Sequence, residues 1–229
     1  MNVMHTTEAF IVKKEEYGEA DLMLTALSEQ FGKIKVFAKG VRKQGAKLRG
    51  HCELMSKSLI SFVEGRNMYR LIHAEVREYY PGIRSNMMKL ETAYHCLALA
   101  GEYLLEDRRD ANKFFALFEN TFLFLEREPE VSAAAQKKVL VWFDANFLNL
   151  LGLFPEHRAE TNDEFPFLEE IFSFRAQPLH AAVALGKNPV QGAIAVKKIF
   201  QTYLYQGSKR NYGKGAGAAE EYPILNSVF

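Results

Sequence analysis

Hydrophobic and polar residues follow two different periods along the chain, and the change falls near residue 80. Before that point, five short runs rich in β-branched or aromatic residues alternate with turn residues, as is typical of strands. The predicted strands cover residues 7–13, 21–27, 33–41, 53–63 and 68–74, and residues 15–18 are predicted to form the turn between the first two. Five short strands predict a small barrel such as an OB-fold. An SH3-like barrel would give a similar series of strands, so strand number alone leaves both open.

After Tyr80-Pro81-Gly82, apolar residues recur at steps of three and four, which indicates helices. The first three predicted helices each follow a residue that commonly caps a helix, and these are Ser85 or Asn86, Asp110 and Ser132. Gly152 is placed to end the third helix. A fourth helix is predicted over about residues 190–206.

The pattern therefore predicts an α+β protein with an N-terminal five-stranded OB-fold barrel followed by an all-α helical domain. We expect the barrel in residues 1–80 and the helical domain in residues 81–206. Residues 207–229 contain GSKRNYGKGAGAA, a Gly-rich basic composition that predicts a flexible tail.

Charge is segregated along a chain whose net charge is only +1. Residues 30–52 contain seven Lys or Arg residues and no acidic residue, and residues 171–219 also contain seven and none. The rest of the chain holds the other 15 basic residues and all 28 acidic residues. Two acid-free basic segments favour a polyanionic partner over a merely solvated surface.

The predicted third strand carries two alternating sets of side chains. The apolar set, which we expect to face the barrel core, is Ile34, Val36 and Ala38. The other set is Lys33, Lys35, Phe37 and Lys39. Three amines around an aromatic ring suit single-stranded nucleic acid, because lysines follow phosphates and a ring stacks on bases. The alternative is that Phe37 packs under the helical domain and the lysines only solvate a rim.

Two further groups of basic residues extend this hypothesis. The loop after the third strand supplies Arg42, Lys43, Lys47 and Arg49. A possible second contact with DNA or with an acidic protein tail consists of Lys197, Lys198, Lys209, Arg210 and Lys214.

Four segments also resemble a known family. YGEADLMLTALSEQFGKIKVFAKGVRKQGAKLRG is similar to the amino-terminal region of the RecO recombination-mediator family, with its "YGE-x-D" turn and its "A-[KR]-G-x-[RK]" junction. The resemblance continues through LISFVEGRNMYRLIHAEVREYYPGIRSNMMKLETAYHCLALAGEYL and returns in FDANFLNLLGLFP and IFQTYLYQGSKRNYGKG. The order of these segments along the chain is more specific than any one of them.

The resemblance implies an OB-fold followed by helices, and a DNA-binding recombination mediator without a catalytic centre. Such a protein binds single- and double-stranded DNA, anneals complementary strands and acts with RecR. It also contacts the C-terminal tail of single-stranded-DNA-binding protein and so helps to load RecA. The positions that match the family's DNA-binding strand and loop are Lys35, Lys39, Arg42 and Lys43.

The sequence predicts neither an enzyme nor a cofactor. Many relatives carry four zinc-binding cysteines after the helix that ends here at Gly152, but GLFPEHRAETNDEFPFLEEIF holds no cysteine, so we predict no structural zinc. GSKRNYGKG lacks the spacing of a phosphate-binding loop, so we expect no ATP site. Without an apolar run of about 18 residues or a signal-peptide pattern, we expect a cytoplasmic, nucleoid-associated protein.

Two other functions fit the same residues. A protein-interaction adaptor would use the basic surfaces to bind acidic protein tails without binding DNA. An RNA-binding accessory factor would use the same electrostatics as the DNA-binding protein.

Overall fold

The computed structural model describes residues 3–66, 68–106, 110–153 and 173–184. Contacts divide the chain into two compact units, Met1–Pro129 and Glu130–Phe229. The predicted fourth helix and the predicted tail lie outside the described residues, as do Lys197, Lys198, Lys209, Arg210 and Lys214.

The first unit begins with a closed five-stranded barrel. Its strands are β1 (Met4–Tyr17), β2 (Asp21–Ser28), β3 (Gly32–Ala38), β4 (Lys57–Glu64) and β5 (Tyr69–Glu78). They close in the order β1-β2-β3-β5-β4. The β3–β5 pair is parallel and every other neighbouring pair is antiparallel. A closed barrel followed by helices confirms the predicted fold class.

The interior of the barrel follows the predicted alternation in β3. Ile34, Val36 and Ala38 are buried in one core with Leu24 and Phe62, whereas the side chains between them in β3 are exposed or half-buried. Successive side chains of a strand point to opposite faces, so burial of this set in the core directs the side chains between them to the outside of the barrel.

Strand ends differ from the prediction where the backbone leaves the extended region. The strand predicted from residue 53 begins at Lys57, after Met55 adopts a φ of 68°. The strand predicted to reach residue 41 ends at Ala38, before Gly40 turns the chain with a φ of 70°. Conversely, β1 continues to Tyr17 through residues predicted to form a turn, because they pair in register with β2.

Three helices complete the first unit: α1 (Pro81–Arg84), α2 (Met87–Tyr103) and α3 (Ala111–Arg127). Asn86, one of the two predicted cap residues, caps α2, because its side chain accepts a hydrogen bond from the Lys89 amide. Phe10 lies on the outer side of β1 and is fully buried. The rings around it, with centroids 5.1–6.3 Å away, are Tyr80, Phe115, Phe118 and Phe122.

The second unit contains α4 (Ala133–Leu150) and α5 (Leu179–Ala184). Ser132 caps α4 as predicted, because its Oγ accepts from the Ala135 amide at 3.2 Å. Trp142 donates from Nε1 to the Gln177 carbonyl oxygen at 2.9 Å and ties α4 to the chain before α5. Throughout the described ranges, every helix is too short or too polar to cross a lipid bilayer.

Candidate nucleic-acid interface

Three neighbouring strands present one outward face, which we call the strand face. It consists of the exposed or half-buried side chains that point away from the barrel core on the second half of β1, on β2 and on β3. Thr25 and Leu27 of β2 point the same way but are buried, so they lie outside the strand face. The pairing register aligns Thr25 with Lys35, and Met23 with Phe37. Tyr17 at the end of β1 pairs with Asp21 at the start of β2. The strand face therefore places Lys35 and Phe37 in one line, with Lys39 just after the end of β3 and with β2 and β1 beside them.

Phe37 is half-buried and stays on the outer side of the barrel. Its ring meets the edge of the Tyr17 ring, with centroids 5.3 Å apart and an angle of 78° between the ring planes. Tyr17 is half exposed. This edge-to-face arrangement is a favourable one for two aromatic rings. It forms a small aromatic platform, with Met23 of β2 directly beside Phe37.

The two lysines that flank Phe37 differ in their surroundings. The Nζ atom of Lys35 lies 3.3 Å from Oε1 of Glu106, and both side chains are about half exposed. Lys39 is exposed and makes no ion pair with any residue that the structure describes. Both amines are open to water and to a ligand.

Lys33 has different surroundings from the other predicted lysines of β3. Its Nζ atom donates to the carbonyl oxygens of Gly101 and Leu104, at 2.5 and 2.8 Å, at the end of α2. These are among the carbonyl groups that a helix leaves without an internal partner. Burial lowers the pKa of Lys33, and the nearby Glu106 carboxylate opposes that shift. Lys33 joins β3 to α2 and does not belong to the open part of the strand face.

The basic loop between β3 and β4 is built by backbone turns. The Gly40 amide donates to Oδ1 of Asp21 at 2.6 Å, and the Lys43 amide donates to the Gly40 carbonyl oxygen at 3.1 Å. Lys43 and Lys47 are exposed along this loop. The loop therefore carries its lysines outward from a defined turn.

Arg42 and Arg49 line a separate cleft of about 540 Å³. Arg42 pairs with Glu16 at 2.9 Å. The other lining residues are Lys14, Glu16, Leu22, Val41 and Glu53, and Lys14 pairs with Glu53 at 2.9 Å. The predicted basic residues thus form two neighbouring groups, one on the strand face and loop and one in this cleft.

Two residues of the interface were absent from the sequence-based hypothesis. Tyr17 was assigned to a turn. Arg70 lies on β5 directly beside Phe37, through the parallel pairing of β3 with β5, and is exposed. The OB-fold strand order, in which β3 and β5 are neighbours, was the signal that could have identified Arg70.

Among the residues described, no three His, Cys, Asp or Glu side chains are grouped closely enough to hold a metal ion. The segment for which we predicted no zinc follows Gly152 and lies almost entirely outside the described residues.

Comparison with known proteins agrees with the barrel and the motifs. The family model described as "Recombination protein O N terminal" matches residues 1–80. A protein named DNA repair protein RecO from Dehalococcoides mccartyi is 32% identical over 157 residues, which cover 68% of this chain and 59% of that protein. The chain belongs to the RecO family. This confirms the predicted family.

Other RecO relatives match at similar levels. DNA repair protein RecO of Moorella thermoacetica is 29% identical over 152 residues, covering 66% of the chain and 54% of the relative. The RecO protein of Thermodesulfovibrio yellowstonii is 28% identical over 171 residues, covering 70% and 65%. The chain therefore matches less than two thirds of the length of each of these RecO proteins.

Proposed function

We propose that this chain is a non-enzymatic DNA-binding mediator of recombinational repair. In this role it binds single- and double-stranded DNA, anneals complementary strands and helps to load a recombinase. RecR, the C-terminal tail of single-stranded-DNA-binding protein and, indirectly, RecA are the proposed partners. Support comes from the family membership and from relatives that are named DNA repair proteins. The observation that carries the proposal is the open strand face, with an aromatic platform between exposed amines.

The geometry suits a single strand that lies along β3. Side chains two apart on a strand are separated by about 7 Å, so Lys35 and Phe37 place a charge and a ring in one line. The exposed Lys39 follows directly after the end of β3 and adds a second charge. A base stacked on an aromatic side chain contributes about 1–3 kcal/mol with little sequence preference. Lys43 and Lys47 continue the cationic path into the loop, and Arg70 extends it on the β5 side.

Annealing follows from the same electrostatics without ATP. Two complementary strands repel each other through their phosphates, and cationic side chains that neutralise those phosphates reduce the repulsion. The strand face with its loop and the neighbouring Arg42–Arg49 cleft give two places for phosphates, so two strands can be held near each other.

A salt titration of a fluorescently labelled oligonucleotide tests the electrostatic part. With about five phosphates neutralised, the logarithm of the association constant should fall against the logarithm of salt with a slope near −3.5. Replacing both Lys39 and Lys43 with Ala should make the slope shallower by about 1.4. The matched control is Lys113→Ala with Lys137→Ala, which removes two exposed helical lysines and should leave the slope unchanged.

The aromatic part is tested separately. Phe37→Ala should weaken binding by about 1–3 kcal/mol and keep the salt slope, because stacking releases no counterions. Phe37→Leu keeps an apolar side chain against Tyr17 but removes the ring, so it controls for loss of packing. Equal affinity of wild type and both variants would remove Phe37 from the interface.

The adaptor hypothesis predicts a different result in the first titration. Carboxylates of the chain already form ion pairs with Lys14, Lys35 and Arg42, so these cations are able to bind the carboxylates of an acidic partner. Absence of oligonucleotide binding at low salt, together with binding of an acidic peptide, would reject the DNA-binding proposal in favour of the adaptor.

A further inference from the structure

Strand β3 is only partly covered along the edge that faces β5. The parallel pairing of β3 with β5 aligns Val36 with Tyr69 and Phe37 with Arg70. Before those pairs, the backbone of Glu106 forms isolated bridges with Gly32 and Lys33. The segment Leu104–Glu106, which we call the strap, therefore runs beside the first residues of β3.

The strap is held in place at its start. Lys33 donates to the carbonyl oxygens of Gly101 and Leu104, so the end of α2 and the first strap residue are tied to β3. Two kinds of contact, these side-chain hydrogen bonds and the bridges of Glu106, fix the backbone on either side of Leu105. The backbone position of Glu106 thus follows from the fold and keeps its carboxylate within reach of Lys35.

The Glu106 carboxylate forms an ion pair with Lys35, the lysine at the start of the proposed DNA path. Its Oε1 atom lies 3.3 Å from Nζ of Lys35. The same two residues line an open cleft of about 510 Å³, and Glu64 also lines it. Both members of the pair are about half exposed, so the ion pair is weak enough to exchange with a ligand that arrives from solvent.

We propose that Glu106 is an intramolecular competitor of DNA phosphate for Lys35. This inference rests on the proposed function and adds a regulatory element to the same site. A phosphate that reaches Lys35 must replace the carboxylate, which is then left beside a second negative charge. Glu106 consequently weakens binding at this end of the path and limits how strongly the chain holds any strand it meets.

The exchange also changes the salt dependence. When Lys35 leaves Glu106 for a phosphate, the DNA releases a counterion, but the freed carboxylate attracts one. The net release from this contact is therefore close to zero while Glu106 is charged. With a neutral residue at position 106, the contact between Lys35 and the phosphate releases about 0.7 counterion, as any other phosphate contact does. The salt slope should therefore become steeper by about 0.7.

The test uses the full chain and a labelled oligo-dT in an anisotropy titration. We expect Glu106→Gln to bind about two- to five-fold more tightly, the range that corresponds to one exposed ion pair, and to show the steeper slope. The matched control is Glu75→Gln, which removes the same charge from a pair with Arg77 of similar exposure on the distant half of β5. An equal gain in both variants would reduce the effect to overall charge and overturn the proposal.

A double-mutant cycle with Lys35→Gln supplies the second test. If the carboxylate acts through Lys35, the gain from Glu106→Gln disappears when Lys35 is already replaced. A gain that persists in that background overturns the proposal. Unfolding curves for each variant confirm that the strap has kept its fold, since glutamine preserves the backbone bridges.

The two proposals fail in different ways. Wild-type chain that binds the oligonucleotide while Glu106→Gln binds no better would overturn the competitor role and leave the proposed function intact. Wild-type chain that does not bind at low salt would overturn both.

Discussion

Substitution of Lys33 distinguishes a lysine that stabilises the fold from one that binds DNA. We expect Lys33→Met, which keeps the aliphatic stem, to lower the free energy of unfolding, because it removes the two hydrogen bonds to the end of α2. A hydrogen bond from a charged group contributes about 1.5–3 kcal/mol. A cation at a helix C-terminus contributes about 0.3–1 kcal/mol more.

The expected loss is smaller than the sum of these contributions. Lys33 is half-buried, so water replaces part of each lost hydrogen bond, and the wild-type ammonium is itself disfavoured by burial. We therefore expect a loss of about 2 kcal/mol. For a chain of this size, that corresponds to a decrease of about 4–8 °C in melting temperature.

The measurement is urea denaturation followed by far-ultraviolet circular dichroism, paired with the oligonucleotide titration. Lys39→Met is the control, because it removes the same charge from an exposed position just after the same strand and should change stability by less than about 0.5 kcal/mol. Lys33→Met should leave DNA affinity nearly unchanged, whereas Lys39→Met should weaken it. A Lys33→Met variant with wild-type stability and weaker DNA binding would refute the structural role.

Three further predictions concern groups away from the interface. Glu126→Ala should cost about 1–3 kcal/mol of unfolding free energy, because its carboxylate accepts two amide hydrogen bonds from the start of α1; unchanged urea midpoints would contradict this. Burial alone would lower the pKa of Lys57, but the bonded Glu119 and nearby acids outweigh it and raise that pKa. Because the folded pKa exceeds the unfolded value, the stability advantage over Lys57→Met should be complete below about pH 10.5 and shrink above it, and a constant difference between pH 8 and 12 would refute this. Burial raises the pKa of the Cys52 thiol to about 11, so its labelling at pH 8 should be slow in the native protein and fast in urea, and rapid native labelling would show an exposed thiol.

The sequence predicted those parts of the fold that depend on neighbouring residues. The alternation in β3 was correct because a period of two with one apolar set fixes which side chains face the core. The N-caps Asn86 and Ser132 were correct because a cap needs only a polar side chain three residues before the amide that it accepts from. Each of these signals lies within a few positions of the feature that it predicts.

The sequence could not distinguish Lys33 from Lys35. Both lie on the same side of the predicted strand, and their different surroundings come from residues 101–106, about 70 positions later in the chain. Tyr17 was missed for a related reason: KKEEY resembles a polar turn, and only its pairing with β2 keeps it extended. The candidate interface was thus predicted as a set of residues except for Tyr17 and Arg70, while its division into open, paired and structural lysines required tertiary contacts.

The burial of Phe10 determines where an expressed fragment of the chain should end. The family match stops at residue 80, at the end of the barrel, yet the rings that cover Phe10 from the helix side come from α3. An expression fragment that ended at residue 80 would expose the apolar outer surface of the barrel around Phe10 to water, and such exposed apolar patches cause aggregation. A fragment intended for crystallisation or NMR should instead extend to residue 129. It then includes α3, which covers this apolar surface and prevents the aggregation.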